Sequence, residues 1–197
     1  AQQSAEFELT LDLTWSAETT PFEFPAVGHM SSLVGATHIA RYVLFRDGDT
    51  ASSGLELVAE NGRPATLKTE FAEAKRRGRL DTEINGPKID KVPGRISVRF
   101  VANEQHSLLS FVTRIAPRPD WFTGAGDLAL RTGGNWSDTT TVTLGAWDSG
   151  TDHGTTYNAE DIDAQPQQSI RLLASPHFLT KRGLVPMGTA TITRVGL

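Results

Sequence analysis

FELTLDLTW, residues 7 to 15, is the stretch that decides the fold. Apolar and polar residues alternate through it without a break, which is typical of a β-strand with one buried and one solvent-facing side. The polar positions Glu8, Thr10, Asp12 and Thr14 are expected to face water. The sequence predicts that the other side faces a core, through Phe7, Leu9, Leu11, Leu13 and Trp15.

The same alternation returns along the chain. Residues 95–100 repeat it, with Ile96, Val98 and Phe100 predicted to face inward. Other segments rich in β-branched and apolar residues predict further strands, at Leu108–Ile115, Asp127–Arg131, Thr139–Leu144, Ser169–Leu173 and Thr189–Val195. Strands with one polar face favour an all-β antiparallel sandwich over a parallel sheet, whose strands are apolar on both faces.

Two short helices are predicted between these strands. The first runs from Ser53, a residue able to cap a helix, to the Asn61-Gly62 pair, which is a typical helix stop. The second follows Pro64, is expected to be capped by Thr66 and to end near Gly78. Its apolar face would consist of Leu67, Phe71 and Ala74.

Composition limits the classes of function. The chain has 197 residues, enough for one domain, which we predict to span residues 1–197 with a core at 6–195. Its net charge of −4 gives no basic surface for nucleic acid. No apolar run reaches the roughly 20 residues of a transmembrane segment. The polar start Ala1–Ala5 resembles a mature exported protein, so we expect a secreted or periplasmic location.

Catalytic motifs are weak in this sequence. It has no cysteine, no G-x-S-x-G nucleophile motif and no H-E-x-x-H zinc motif. His29 and His38 are better explained as structural residues. A hydrolase that uses Asp120 and Asp148 stays open, because their separation cannot be read from the sequence. The basic run Lys75–Arg79 either binds anionic polysaccharide or lipid, or is the solvated end of a helix.

The segment WDSGTDHG, residues 147–154, is rich in oxygen ligands. Asp148 and Asp152 offer carboxylates from one turn, and calcium requires about six to eight oxygens. Two carboxylates are too few, and Asp120 in the proline-stiffened segment 117–122 offers a third. The residues alone leave a calcium site and a plain polar turn equally open.

Four segments resemble the spondin N-terminal domain and occur in the order of that domain. They are SSLVGATH (31–38), ASSGLELVAENG (51–62), APRPDWFTG (116–124) and WDSGTDHG (147–154). The resemblance implies a β-sandwich similar to the calcium-dependent phospholipid-binding fold, with about eight strands and inserted helices. It also implies Ca²⁺ held in loops at one end of the sandwich by Asp120, Asp148 and Asp152.

Members of that family in animals are extracellular matrix and adhesion proteins that carry cysteines. The lack of cysteine here points to a stand-alone bacterial member, so the animal partners do not carry over. The leading hypothesis is therefore an exported, non-enzymatic, calcium-binding module that recognises a cell-surface or matrix protein or a glycan. Calcium-dependent binding of lipid or polysaccharide is the second hypothesis, and an acid-residue hydrolase is the third.

Overall fold

The computed structural model of the protein describes residues 3–195. Within that range, helix α1 (Ser53–Asn61) and helix α2 (Ala65–Arg76) lie between the third and fourth strands. The strands are, in chain order, β1 (Ser4–Leu13), β2 (His29–Met30), β3 (Val34–His38), β4 (Leu80–Asn85), β5 (Gly94–Asn103), β6 (Leu108–Ala116), β7 (Trp121–Ala129), β8 (Arg131–Thr132), β9 (Asn135–Trp136), β10 (Thr139–Leu144), β11 (Ala146–Asp148), β12 (Arg171–Leu172), β13 (Leu179–Thr180), β14 (Gly183–Leu184) and β15 (Gly188–Arg194).

The first large sheet is built around the stretch that alternates at the start of the chain. Its strand order is β10-β15-β1-β5, and every neighbouring pair is antiparallel. Leu9 lies opposite Ile192 on one side and Val98 on the other. The predicted inward residues are buried, with 0 to 2% of their surface exposed: Phe7, Leu9, Leu11, Leu13 and Trp15. The predicted inward face is confirmed, but the strand begins at Ser4 and ends at Leu13, before Thr14 and Trp15.

The second large sheet has the order β12-β11-β7-β6-β3-β4, and β2 pairs with β6 beside it. Its pairs are antiparallel as well. One face packs against the first sheet around an apolar core that contains Phe7, Phe100, Phe111 and Trp121. The predicted antiparallel β-sandwich is confirmed.

The two helices form a third layer on the outer face of the second sheet. Their inner residues pack with Val34, Ala36, Val112 and Phe122 of the sheet. The second sheet is therefore covered on both faces, by the first sheet and by the helices. All five residues of β3 are buried as a result, so this strand has no solvent-facing side and no alternation in its sequence.

Both predicted helices exist, but neither cap was predicted correctly. The cap of α1 is Ser52, not Ser53: Ser52 has an extended backbone and its hydroxyl accepts a hydrogen bond from the Leu55 N–H. Thr66 lies inside α2, because Pro64 takes the cap position without a side-chain bond. The predicted apolar face of α2 is buried. None of the helices in residues 3–195 is both long and apolar enough to cross a membrane.

Some strand predictions were wrong in length. The predicted strand Asp127–Arg131 is split between β7 and β8, and the pairing of β7 with β6 shifts register here. Asp127 has a φ of +56°, which a regular strand does not tolerate. The predicted strand Ser169–Leu173 is only two residues long. Fifteen strands lie within residues 3–195, more than the eight implied by the resemblance, and several have two residues.

His38 is a structural residue, as the sequence indicated. Its Nδ1 donates to the Ile39 carbonyl at 2.9 Å, so Nε2 is the acceptor for the Ser110 hydroxyl at 2.7 Å. The side chain has no exposed surface. Burial lowers the pKa of His38, against the raising effects of the Ile39 carbonyl and Asp127; His106 and Arg46 lower it further.

Acidification should therefore destabilise the domain through His38. The unfolded histidine takes up a proton near pH 6.5 and the folded one only at lower pH, so the unfolded state binds more protons in between. The contribution of His38 to the free energy of unfolding should fall as the pH drops below about 6.5, whereas the buried Glu60, whose pKa is raised to about 7, acts in the opposite direction over the same range. Urea unfolding at several pH values between 7.5 and 5 measures this dependence. The difference between the unchanged protein and His38→Gln isolates this contribution, and His29→Gln, at a half-exposed histidine, is the matched control.

Candidate metal centre

Asp120 and Asp148 lie at the same end of the second sheet. Asp120 immediately precedes β7, and Asp148 is the last residue of β11. These strands are neighbours, and their register places Asp148 opposite Trp121, the residue after Asp120. The Ser149 N–H donates to the Asp120 carbonyl at 3.2 Å and so joins the two strand ends. Sheet pairing alone brings together two carboxylates that are distant in the sequence.

The loop after Asp148 is held in a fixed shape. Gly150 has a φ of +75°, and a Cβ at this position would lie 2.3 Å from the Gln168 carbonyl oxygen. Only glycine satisfies both conditions without strain. The Gln168 N–H donates to the Gly150 carbonyl, and the Ala164 N–H donates to the Thr151 carbonyl, both at 2.7 Å. The segment 164–168 therefore supports the loop from outside.

Asp120 is the centre of this loop. Its Oδ2 accepts hydrogen bonds from the Thr151 N–H at 2.8 Å, the Ser149 hydroxyl at 3.0 Å and the Asp152 N–H at 3.1 Å. Its Oδ1 has no hydrogen-bond partner in the protein, and the residue has no exposed surface. Burial raises the pKa of Asp120, and the charge of Asp148 raises it further against the lowering effect of these bonds.

Both carboxylate oxygens of Asp148 accept hydrogen bonds, one from a backbone N–H and the other from an arginine side chain. Its Oδ1 accepts the Gly150 N–H at 2.8 Å. Its Oδ2 pairs with the Arg171 guanidinium, at 2.9 Å from one terminal nitrogen and 3.2 Å from Nε. Asp148 is buried, whereas the Arg171 side chain is 61% exposed. The exposed guanidinium can move into solvent at small cost, so Asp148 keeps the capacity to bind another cation.

Asp152 is oriented differently from the other two aspartates. One carboxylate oxygen accepts the Gly154 N–H, and the other accepts the Ile162 N–H at 2.9 Å. Its carboxylate thus bonds to its own loop, and its backbone N–H contacts Asp120. Across residues 3–195, no group of three or more His, Cys, Asp or Glu side chains has the arrangement of a metal site. The assignment of Asp152 as a ligand stays a prediction.

One feature of Asp120 is consistent with a bound cation. A carboxylate oxygen that is buried without a partner loses the hydrogen bonds that water would give it, at a cost of roughly 1–3 kcal/mol or more. Asp120 Oδ1 is such an oxygen. A hard divalent cation beside it would satisfy the lone pairs and offset the repulsion between Asp120 and Asp148.

Sequence reasoning missed a fourth acidic residue near this loop. Glu60 belongs to the last turn of α1 and is only 6% exposed. Burial raises the pKa of Glu60 to about 7, and the charges of Glu56, Asp161 and Asp120 act in the same direction. The only available signal in the sequence was an acid next to the apolar positions Val58 and Ala59 on the inner face of a helix.

The basic run Lys75–Arg79 is engaged in local ion pairs. Arg76 and Arg77 both contact Glu73, which lies three and four residues earlier, about one helical turn away, and Lys75 lies 3.9 Å from Asp81. These contacts favour the interpretation of the run as the solvated end of α2. The hydrolase hypothesis is weakened too, because the fully buried Asp120 presents no surface to a substrate.

Comparison with known proteins identifies the family. The family model described as Spondin_N matches residues 5–181, which is most of the chain. The chain belongs to the spondin N-terminal domain family. The resemblance drawn from the four sequence segments is thereby confirmed, and the sandwich described above is the structure of a spondin domain.

Curated relatives extend this finding. The spondin domain is 32% identical over 208 residues to Spondin-2 of Rattus norvegicus and 28% identical to Spondin-2 of Homo sapiens; each match covers 99% of this chain and 63% of the relative. It is 32% identical to Spondin-1 of Gallus gallus over 179 residues, covering 87% of this chain and 22% of the relative. The chain thus spans less than two thirds of the length of these relatives.

Proposed function

We propose that this spondin domain is an exported, non-enzymatic adhesion or recognition module with Ca²⁺ bound at one end of its sandwich. Asp120, Asp148 and Asp152 would hold the ion, with backbone carbonyls and water completing the sphere of six to eight oxygens. The observation that carries the proposal is the buried Oδ1 of Asp120, which lacks a partner beside a second buried carboxylate. Membership of a family with extracellular relatives supports the location and the recognition role.

Calcium would act here mainly by fixing loop geometry. Three carboxylates against one divalent ion leave about one negative charge in excess, and without the ion the carboxylates repel one another. The loop 149–152 already bonds to the Asp120 carboxylate through two backbone N–H groups and the hydroxyls of Ser149 and Thr151. Holding Asp120 in place would therefore hold the whole loop. The resulting surface is the one we propose to contact a cell-surface or matrix protein or a glycan.

Replacement of Asp148 by asparagine should weaken calcium binding by about tenfold or more, since a ligand charge is removed while the shape is kept. Calorimetric titration with calcium measures the change. The matched control is Asp138→Asn, an aspartate whose side chain is 84% exposed and paired with Arg194; its affinity should equal that of the unchanged protein. Equal binding by Asp148→Asn and the unchanged protein would remove Asp148 from the site.

The recognition role needs its own test, because a calcium site alone does not define a partner. Immobilised matrix proteins, glycans and anionic lipid vesicles are compared for binding in calcium and in chelator. Binding to a protein or glycan that is lost in chelator supports the proposal. Binding to vesicles alone, weakened by salt and by charge reversal of Arg76 and Arg77, would instead support the lipid hypothesis.

A further inference from the structure

The hairpin formed by β13 and β14 presents a pair of exposed leucines. Leu179 and Leu184 lie directly opposite each other in its antiparallel register, so their side chains share one face of the hairpin. Leu179 is 46% exposed and Leu184 is 48% exposed. The two side chains therefore form one apolar patch that faces solvent.

The turn of the same hairpin carries two neighbouring cations, Lys181 and Arg182, and both are exposed. Neither forms an ion pair with any residue between 3 and 195. The basic residues 75–77, by contrast, are paired with Glu73 and Asp81. Although the chain has a net charge of −4, the hairpin thus presents a local positive charge that no acid of the described part of the domain neutralises.

Buried contacts fix the position of this hairpin. The Val185 N–H donates to the Phe178 carbonyl at 2.7 Å and closes the base of the hairpin. Phe178 is 1% exposed and belongs to the core between the sheets. The ring of the preceding His177 lies 4.9 Å from that of Trp121, the residue that follows Asp120. The hairpin base therefore packs at the same end of the sandwich as the Asp120 loop, and a surface that is fixed in advance loses less entropy on binding.

The segment 160–163, at the same end, has the opposite charge. Ile162 is 52% exposed, although its backbone is held firmly: its N–H donates to Asp152 Oδ2, and its carbonyl accepts the His153 N–H, both at 2.9 Å. On either side of Ile162 lie Glu160 and Asp163, which are exposed and form no ion pair within residues 3–195. An exposed apolar side chain flanked by unpaired acids complements an exposed leucine pair beside unpaired cations.

We infer that this end of the domain binds a second copy of the chain, with the hairpin of each copy packed on segment 160–163 of the other. The leucine pair would bury Ile162 while the two cations meet Glu160 and Asp163, so apolar burial and charge pairing act at one contact. Because both surfaces lie at the same end of one domain, a two-fold axis closes the pair with two identical contacts. Surfaces this small form weak, reversible interfaces.

This inference goes beyond the proposed recognition function. None of the residues in either surface is a proposed ligand of the ion, so self-association and calcium binding can succeed or fail separately. The experiment is therefore carried out in chelator, where Ca²⁺ cannot bridge acids of two copies. Calcium titration of the same protein remains the test of the metal site.

Sedimentation equilibrium over a range of protein concentrations measures the association. Lys181→Glu combined with Arg182→Glu should weaken it by about tenfold or more, because like charges then face each other. The matched control combines Arg41→Glu with Arg79→Glu, at two exposed cations that also form no ion pair within the described residues. It makes the same change in net charge and should alter the association by less than about threefold.

The acidic surface is tested by the reciprocal change, Glu160→Lys combined with Asp163→Lys. Asp161 is left unchanged because it pairs with Arg118 at 2.9 Å. This variant alone should also associate at least about tenfold more weakly. A mixture of the two charge-reversed variants should recover the association of the unchanged protein, since both contacts of the mixed dimer again join opposite charges. If either variant does not fold, Leu184→Ser, at a side chain that is already exposed, should weaken the association through the apolar part of the contact.

Four results would overturn the inference. The first is an unchanged protein that stays monomeric up to about 1 mM. The second is a dimer that the reversed hairpin or Leu184→Ser forms equally well, and the third is a mixture of the reversed variants that does not recover. The fourth is a monomeric protein that binds anionic vesicles and loses that binding with Lys181→Glu and Arg182→Glu, which would assign the hairpin to a lipid surface.

Discussion

Replacement of Asp120 by asparagine should abolish the calcium-dependent stabilisation of the domain. A ligand that binds only the folded state adds about 2.7 kcal/mol when it is present at a hundredfold excess over its dissociation constant. We expect the unchanged protein to gain about this amount, and Asp120→Asn to gain none. The physical reason is that Asp120 is completely buried and its Oδ1 has no hydrogen-bond partner, so the ion would satisfy an oxygen that the protein leaves unsatisfied.

Asparagine is the informative replacement because it preserves the loop. Its amide oxygen can still accept the bonds from Thr151, Asp152 and Ser149 that Oδ2 accepts now. Stability in chelator should therefore stay close to that of the unchanged protein. Urea unfolding in chelator and in calcium measures both quantities, with Asp138→Asn as the control for loss of an exposed charge. An increment in Asp120→Asn as large as in the unchanged protein would contradict the assignment of Asp120.

Much of the fold could be predicted from the strands that have one buried and one solvent-facing side. Alternation located β1 correctly, and the Thr-rich stretch Thr139–Leu144 matches β10 in both bounds. β3 could not be found in this way, because the sheets and helices cover both of its faces and its five residues are all buried. β7 contains Gly124, at which a Cβ would lie 2.1 Å from the Phe111 carbonyl oxygen. From the sequence alone, a glycine required by close packing within a strand cannot be distinguished from a glycine required by a turn.

The candidate site was predictable only in part, for a similar reason. Local composition pointed to Asp148 and Asp152, and a stiff turn pointed to Asp120. That Asp148 lies opposite Trp121 depends on the register of β7 and β11, which no local pattern records. Glu60 was missed because its burial depends on how the end of α1 packs against the rest of the domain, where Arg114 bonds to the Ala59 carbonyl. The residues that complete a site assembled from several elements are the ones least visible in sequence.

Replacement of Phe7 by alanine should lower the free energy of unfolding by about 3–5 kcal/mol, the range for aromatic residues removed from a core. Phe7 is 1% exposed, and its ring centroid lies 5.7 Å from those of both Phe100 and Trp136. The neighbouring sheet cannot close over the vacated volume, because β1 is held by a strand on each side. Urea unfolding in chelator measures the loss.

Thr10→Ala is the matched control, since Thr10 lies on the outer face of the same strand and its hydroxyl hydrogen-bonds with the Ser97 hydroxyl. It should cost about 1 kcal/mol or less. Phe7→Ala should also keep the calcium increment of the unchanged protein, because Phe7 lies in the core between the sheets and Asp120 lies at their end. Phe7→Ala would then lose stability in chelator but keep the full calcium-dependent gain in the free energy of unfolding, whereas Asp120→Asn would keep the first and lose the second. This pair of results would show that the scaffold and the ion stabilise the domain independently. Loss of the increment in Phe7→Ala would mean instead that the loop geometry depends on the packing between the sheets.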